Sequence, residues 1–231
     1  MLENTEVESP VGLAQPDAAV HGVPTRIAAE RKARVDNVCK GVAAWLAENH
    51  TESRAESREN PALTLEIGCG HGHFLAAYSA AFPQKHCIGI DLLTKRIERA
   101  CRKRDRAHLR NLAFFKAEAN EFLDALPATL QFDEYFFLFP DPWPKNRHHK
   151  NRLIQTEMLN RLASLAKPAA HLWFRTDHSS YFEWTQALVS QHPRWRILPD
   201  AKWPFEHETF FSKLLPDYQT LVAEKQPENH D

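Results

Sequence analysis

Short apolar runs alternate with amphipathic ones along most of this chain, and the alternation begins only after an aperiodic start. Residues 1–22 mix proline, glycine, alanine and acids and read as a flexible leader. Pro24 and Thr25 then offer a helix start, and Val35, Val38, Val42 and Leu46 follow at helical spacing to about Asn49. A polar stretch ending in Asn60-Pro61 closes this N-terminal helix-and-linker unit, residues 23–61. From Ala62 the pattern predicts strands at Leu63–Ile67, His86–Ile90, Leu112–Lys116, Tyr135–Phe139 and Leu172–Arg175. Between them it predicts helices at Phe74–Phe82, Thr94–Arg106, Asn120–Leu126 and Leu153–Leu165, with another at Tyr181–Gln191. Trp195–Leu198 and Thr220–Ala223 read as closing strands, the last of them antiparallel. Strands separated by helices of this length imply βαβ units. The expected fold is therefore α/β: a doubly wound, mostly parallel Rossmann-like sheet with helices on both faces, spanning residues 62–225 before a tail at 226–231.

Composition narrows the class. At 231 residues and 43% apolar content the chain can bury a sizeable core. Acids at Glu3, Glu6 and Glu8 stand where a signal peptide would be basic and then apolar, so the expected location is cytoplasmic. Cys39, Cys69, Cys87 and Cys101 form no C-x-x-C pair, as suits reduced thiols. The formal net charge is only −1, yet the cations are clustered. Residues 95–110 are dense in lysine and arginine, and residues 145–152 carry Lys145, Arg147, Lys150 and Arg152 with no acid among them.

Candidate chemistry begins where the first strand meets its helix, at Glu66-Ile67-Gly68-Cys69-Gly70-His71-Gly72. Gly68, Gly70 and Gly72 allow the backbone to turn tightly beneath a ligand. Asp91 ends the second strand and is placed to accept from two ribose hydroxyls. Two cofactor classes compete here. A dinucleotide site wants G-x-G-x-x-G and a helix N-terminus free for pyrophosphate, whereas here the third glycine comes one residue early and Glu66 would repel phosphate. S-adenosylmethionine carries a sulfonium and an ammonium and no phosphate, so acid-lined surroundings suit it. Glu118, at the end of the third strand, adds a further acid in reach of the adenine edge. S-adenosylmethionine is the expected cofactor.

The fourth strand runs into Phe139-Pro140-Asp141-Pro142-Trp143-Pro144-Lys145-Asn146-Arg147-His148-His149-Lys150. Prolines on either side fix the approach to Asp141, in a loop that faces the ligand in open α/β sheets. This segment resembles the signature of the bacterial tRNA (guanine-N7)-methyltransferases, P-D-P-W-x-K-x-R-H-x-K. The glycine turn, the strand ending in Asp91, Asn111-Leu112, and Thr176-Asp177 with Tyr181 follow in that family's order. The resemblance covers roughly Leu63 to Tyr181. It implies methyl transfer to N7 of the variable-loop guanine, guanine-46, of tRNA. It further implies that Glu66, Asp91, Glu118 and Asp141 line the cofactor pocket, that Asp141 is catalytic, and that Lys145, the stretch Arg147 to Arg152 and Asp177 meet the RNA. The family's C-terminal Thr-x-x-Glu is matched only by Thr209, with Ser212 in place of the acid, so Thr209 alone is carried over as substrate-binding.

Residue chemistry agrees with that assignment. Guanine N7 has a lone pair and no proton, so its methylation needs no general base. A carboxylate such as Asp141 would offset the positive charge that moves from sulfur to purine, and Lys145, Arg147, Lys150 and Arg152 would grip phosphates. Trp143, between prolines, reads as a packing plug rather than a base-stacking platform. Paired histidines at His71/His73 and His148/His149 lack the ligand set of a metal site, and no metal is expected. Two other functions compete: methylation of an exocyclic amine through a loose D-P-P-Y motif, and an RNA-binding module without catalysis. Monomer and homodimer both remain open.

Overall fold

In a computed structural model the chain is described over residues 22–53, 62–207, 214–215 and 217–227. Residues 1–21 of the leader, Thr209 and residues 228–231 of the tail lie outside the described residues. Strands β1 (Ala62–Ile67), β2 (Lys85–Asp91), β3 (Leu112–Lys116), β4 (Phe132–Leu138), β5 (Ala166–Thr176), β6 (Trp195–Ile197) and β7 (Gln219–Lys225) form one sheet in the order β3-β2-β1-β4-β5-β7-β6. The first five are parallel, and β7 runs antiparallel to both β5 and β6. The doubly wound α/β expectation and its antiparallel C-terminal strand both hold.

Helices α1 (Gly22–Ser53), α2 (His73–Ala81), α3 (Thr94–Arg106), α4 (Ala119–Ala125), α5 (Thr156–Ser164) and α6 (Ser179–Ser190) connect and cover the strands. Strand β4 shows why both faces must be covered. Its Tyr135 and Phe137 enter a core with Phe122 of α4 and Leu159 of α5, while Phe136 packs on the other face with Phe74 and Tyr78 of α2. A strand buried on both sides reads as a continuous apolar run, as this one does. Helix α1 docks on α4 through ion pairs of Arg34 with Glu121 (2.5 Å) and Arg31 with Asp124 (2.5 Å), and buries Val42.

Several boundaries differ from the expected ones; β4, for example, begins at Phe132 rather than Tyr135. The helix expected at Leu153–Leu165 begins only at Thr156, because the Ile154 backbone N–H donates to the Tyr181 hydroxyl and its carbonyl accepts from Trp184 Nε1. Residues Asn146–Asn151 form a separate 3-10 helix. Strand β5 starts at Ala166, before the turn-like Lys167-Pro168-Ala169-Ala170, and accommodates that segment as an irregularity: Phe132 pairs with Ala166 but Glu134 with His171, and Ala169 takes φ +60°. The N-terminal helix extends past Asn49 to Ser53.

Candidate functional site

In the order β3-β2-β1-β4-β5 the chain reverses direction of growth between β1 and β4, and open α/β sheets bind their ligands at such a switch point, outside the carboxyl ends of the strands. The glycine turn follows β1 and the Asp141 loop follows β4, so they flank this switch point. Asp91, Glu118 and Asp177 stand at or just beyond the ends of β2, β3 and β5 on the same edge.

Direct hydrogen bonds build the first half of the site. Gly68 and Cys69 donate their N–H groups to Ile90 O at 2.9 Å each, tying the turn to the end of β2. Asp91 Oδ2 accepts from Gly70 N (3.1 Å) and Oδ1 from Leu93 N (2.8 Å), with Arg96 Nη1 at 3.4 Å. Gly70 takes φ +55°, and a Cβ built there would meet nothing within 4 Å, so the turn leaves open space above it. Gly72 (φ +65°) serves packing instead: a Cβ there would come within 2.6 Å of the Phe114 ring.

Glu66 is the electrostatic centre of this half. It is 3% exposed, and its Oε2 is buried with no hydrogen-bond partner. Burial, reinforced by the nearby Asp91 charge and opposed by Lys103, pushes its carboxyl up to about 8. A buried carboxyl with one unpartnered oxygen beside a roomy glycine turn suits a ligand that brings a cation. Together with the Asp91 carboxylate, these residues fit the ammonium and ribose of S-adenosylmethionine and would oppose a pyrophosphate.

Glu118 has a second employment. It is the N-cap of α4: Oε2 accepts from Glu121 N (3.0 Å) and Oε1 from Asn120 Nδ2 (3.0 Å). Only the remaining lone pairs are free for an adenine edge. Leu92 and Leu93, 61% and 52% exposed beside Asp91, are apolar surface that strand and helix periodicity does not single out. Their signal is an apolar pair at a helix start, where Leu93 occupies the N-cap without any side-chain cap bond.

The second half of the site is a strained loop. Phe139 (φ +51°) and Trp143 (φ +44°) both adopt the left-handed conformation although neither is glycine, and they bracket Pro140-Asp141-Pro142. Such residues cost about 1–3 kcal/mol each and persist where the surroundings hold them. Phe139 N is held by Arg175 O (2.8 Å) at one end. At the other, Arg152 Nε donates to Pro142 O (2.9 Å) while its Nη1 and Nη2 donate to Ser180 O (3.0 Å) and Ser180 Oγ (2.9 Å). The Arg152 guanidinium also lies over the Tyr181 and Trp184 rings at 4.9 and 5.4 Å.

Two expectations are corrected by this geometry. Arg152, expected to grip phosphate, is 2% exposed and spends its donors on the loop and on α6, so it anchors the loop instead. Trp143, expected as a packing plug, is 37% exposed, with an edge-on contact to the His148 ring at 5.9 Å. Lys145, Arg147 and Lys150 are exposed at the start of the short 3-10 helix and along it, as a phosphate-facing surface requires, and Asp177 is exposed at the end of β5.

Arg152→Ala is expected to destabilise the chain by about 2–4 kcal/mol, since it strands the Pro142 and Ser180 carbonyls and empties a packed volume. S-adenosylhomocysteine affinity should change little, because Arg152 holds the β4 side and not the glycine turn. Denaturant unfolding and calorimetric titration on one preparation check both parts. Asp91→Ala should do the opposite. It removes a charged acceptor and the tether of Gly70, and S-adenosylhomocysteine affinity should fall roughly ten- to a hundredfold; an unchanged titration would take Asp91 out of the ribose site.

Comparisons with known proteins agree with this architecture. The aminoglycoside resistance methyltransferase NpmB1 superposes with a TM-score of 0.53 over 77% of this chain and 92% of its own, at 21% identity. The 16S rRNA methyltransferase KamB gives 0.53 over 78% and 94%, at 19% identity. At such identities the likeness speaks for the fold alone. A tRNA (guanine-N(7)-)-methyltransferase of Caulobacter vibrioides is 37% identical over 143 residues, 62% of this chain, so the match spans 63% of that relative's length. One from Thermosynechococcus vestitus is 32% identical over 164 residues, 68% of this chain and 76% of the relative. The family model described as "Putative methyltransferase" matches residues 60–231. By that match, and by its likeness to these relatives, the chain belongs to this methyltransferase family, within its tRNA (guanine-N7)-methyltransferase group.

Proposed function

We propose that this protein transfers a methyl group from S-adenosylmethionine to N7 of the variable-loop guanine, guanine-46, of tRNA. The observation that carries the proposal is the loop after β4: Asp141, exposed and bracketed by two strained residues, stands across the switch point from a buried carboxyl with an orphaned oxygen. S-adenosylmethionine, when bound, supplies a methyl group on a cationic sulfur. Glu66 would accept from the cofactor's ammonium, Asp91 from its ribose hydroxyls, and Leu92 and Leu93 would shield one side of its base. Asp141 would face the reacting centre, where its negative charge favours a positive charge travelling from sulfur to purine. No residue need remove a proton, because N7 carries none; placement of the guanine is the remaining task. Lys145, Arg147 and Lys150 would meet the RNA backbone, with Asp177 beside them and Thr209 as a further candidate contact.

Incubation of the protein with an unmodified tRNA transcript and methyl-labelled S-adenosylmethionine tests the reading, followed by chain cleavage specific to N7-methylguanine. Label at guanine-46 is expected. Label on an exocyclic amine, or cofactor binding without any transfer to tRNA, would replace it with one of the two competing functions.

A further inference from the structure

Beside the glycine turn, between the start of α2 and the face of α3, lies an open cleft of about 480 Å³. His71 and His73 form its wall at the start of α2, and Arg99, Arg102, Lys103 and Arg106 form the wall on α3. Those four cations sit at i, i+3, i+4 and i+7, one face of the helix, over a length of about 10 Å. None of the four forms an ion pair within 4 Å among the described residues, although the Lys103 charge is felt by the buried Glu66 carboxyl. The ion pairs of α3 are Arg96 with Asp91 and Arg104 with Asp105, and the second occupies the one acid that lines the cleft. Arg99 Nη1 lies 3.4 Å from His71 Nε2, and Lys103 Nζ donates to His71 O at 3.1 Å.

We infer that this cleft is a second RNA-backbone site, which takes phosphates of the tRNA remote from the guanine being methylated. The inference rests on the proposed tRNA reading. Concave cationic surface with few counterions concentrates field and favours a polyanion. Burial together with repulsion from neighbouring cations already holds His71, His73 and Lys103 below their ordinary values, and bound phosphates would relieve that repulsion. A single small anion could meet two of the arginines; only a chain of phosphates meets the whole row. Position adds a further argument. Helix α3 packs over β2 and β3, whereas Lys145, Arg147 and Lys150 follow β4, so the two basic surfaces lie on opposite sides of the switch point. A ligand that reaches both while presenting a base to Asp141 must be an extended nucleic acid.

The test combines Arg99→Ala, Arg102→Ala and Arg106→Ala in the full chain, three exposed side chains whose removal opens no core. Filter binding of unmodified tRNA across a salt series should show the slope of log K against log salt reduced by about 2–3, since each phosphate left without its cation lowers it by roughly 0.7–0.9. The corresponding triple Arg→Lys variant should keep the slope. Affinity for S-adenosylhomocysteine should match the parent protein, and a short hairpin that carries only the target guanine and its arm should bind both proteins alike. An unchanged tRNA slope would overturn the inference, and so would an equal loss of affinity for the short hairpin. The two readings fail separately: normal methylation of guanine-46 with an unchanged slope removes only the second site. A reduced slope in a protein that methylates no tRNA keeps the surface and removes the proposed activity.

Discussion

Asp141→Asn is expected to lower the single-turnover rate of tRNA methylation by about two orders of magnitude or more while leaving tRNA and S-adenosylhomocysteine affinities near those of the parent. The substitution keeps the shape of the side chain and the proline-locked backbone on either side, and removes only the charge. That charge matters if positive character leaves sulfur and arrives on the purine within reach of the carboxylate. Removing one preorganised electrostatic group of this kind typically costs roughly 10²–10³ in rate. Binding should survive because the loop is held by Arg152 and by the Phe139–Arg175 backbone bond, neither of which involves Asp141. Rate and affinity thus separate. A variant that keeps most of its single-turnover rate would show that Asp141 does not act on the reacting centre. Loss of tRNA affinity in step with rate would assign it to substrate binding.

Glu66→Gln should produce two effects of opposite sign. Without ligand, the carboxyl sits at about 8 in the folded chain against an ordinary value near 4.5. Between those values the native state holds a proton that the unfolded state has lost, so the Glu66 contribution to stability declines as pH rises from about 4.5 to 8 and is flat beyond. Glutamine mimics the protonated form at every pH. The variant should match the parent below about pH 4.5 and exceed it by a few kcal/mol above about pH 8, which thermal unfolding across pH would show. Its affinity for S-adenosylhomocysteine should fall roughly a hundredfold, because a neutral amide replaces the buried partner of an ammonium. A cationic ligand also draws the proton off the carboxyl. At about pH 7 the parent should release close to one proton per ligand bound and the variant none, measured by calorimetry in buffers of different ionisation enthalpy. Equal proton release from both would remove Glu66 from the ammonium site.

Much of the fold is legible in the residues because its signals are local. The apolar run at Tyr135-Phe136-Phe137 announces a strand buried on both faces, and Thr94–Arg106 and Leu112–Lys116 begin and end where their periodicity does. The glycine turn and the acid of β2 are equally local, since three positive-φ glycines and one strand-end carboxylate need no distant partner to be recognised. Neighbours along the chain therefore suffice to specify the alternation of strands and helices, the turn chemistry after β1, and the presence of acids at successive strand ends. How those groups are employed is settled only by the packing of distant segments. Arg152 has the charge of a phosphate ligand but meets Ser180, 28 residues away, and becomes an anchor. Glu118 is drawn into capping α4, Trp143 is turned outward by a strained backbone, and Ile154 trades helical hydrogen bonds for the Tyr181 hydroxyl. Glu66 differs from any other acidic strand end only because the sheet and its neighbours exclude water and leave one oxygen without a partner. The physical reason is the same in each case: periodicity and turn geometry are set by adjacent residues, while burial and hydrogen-bond partnership depend on segments that meet only when the chain has folded.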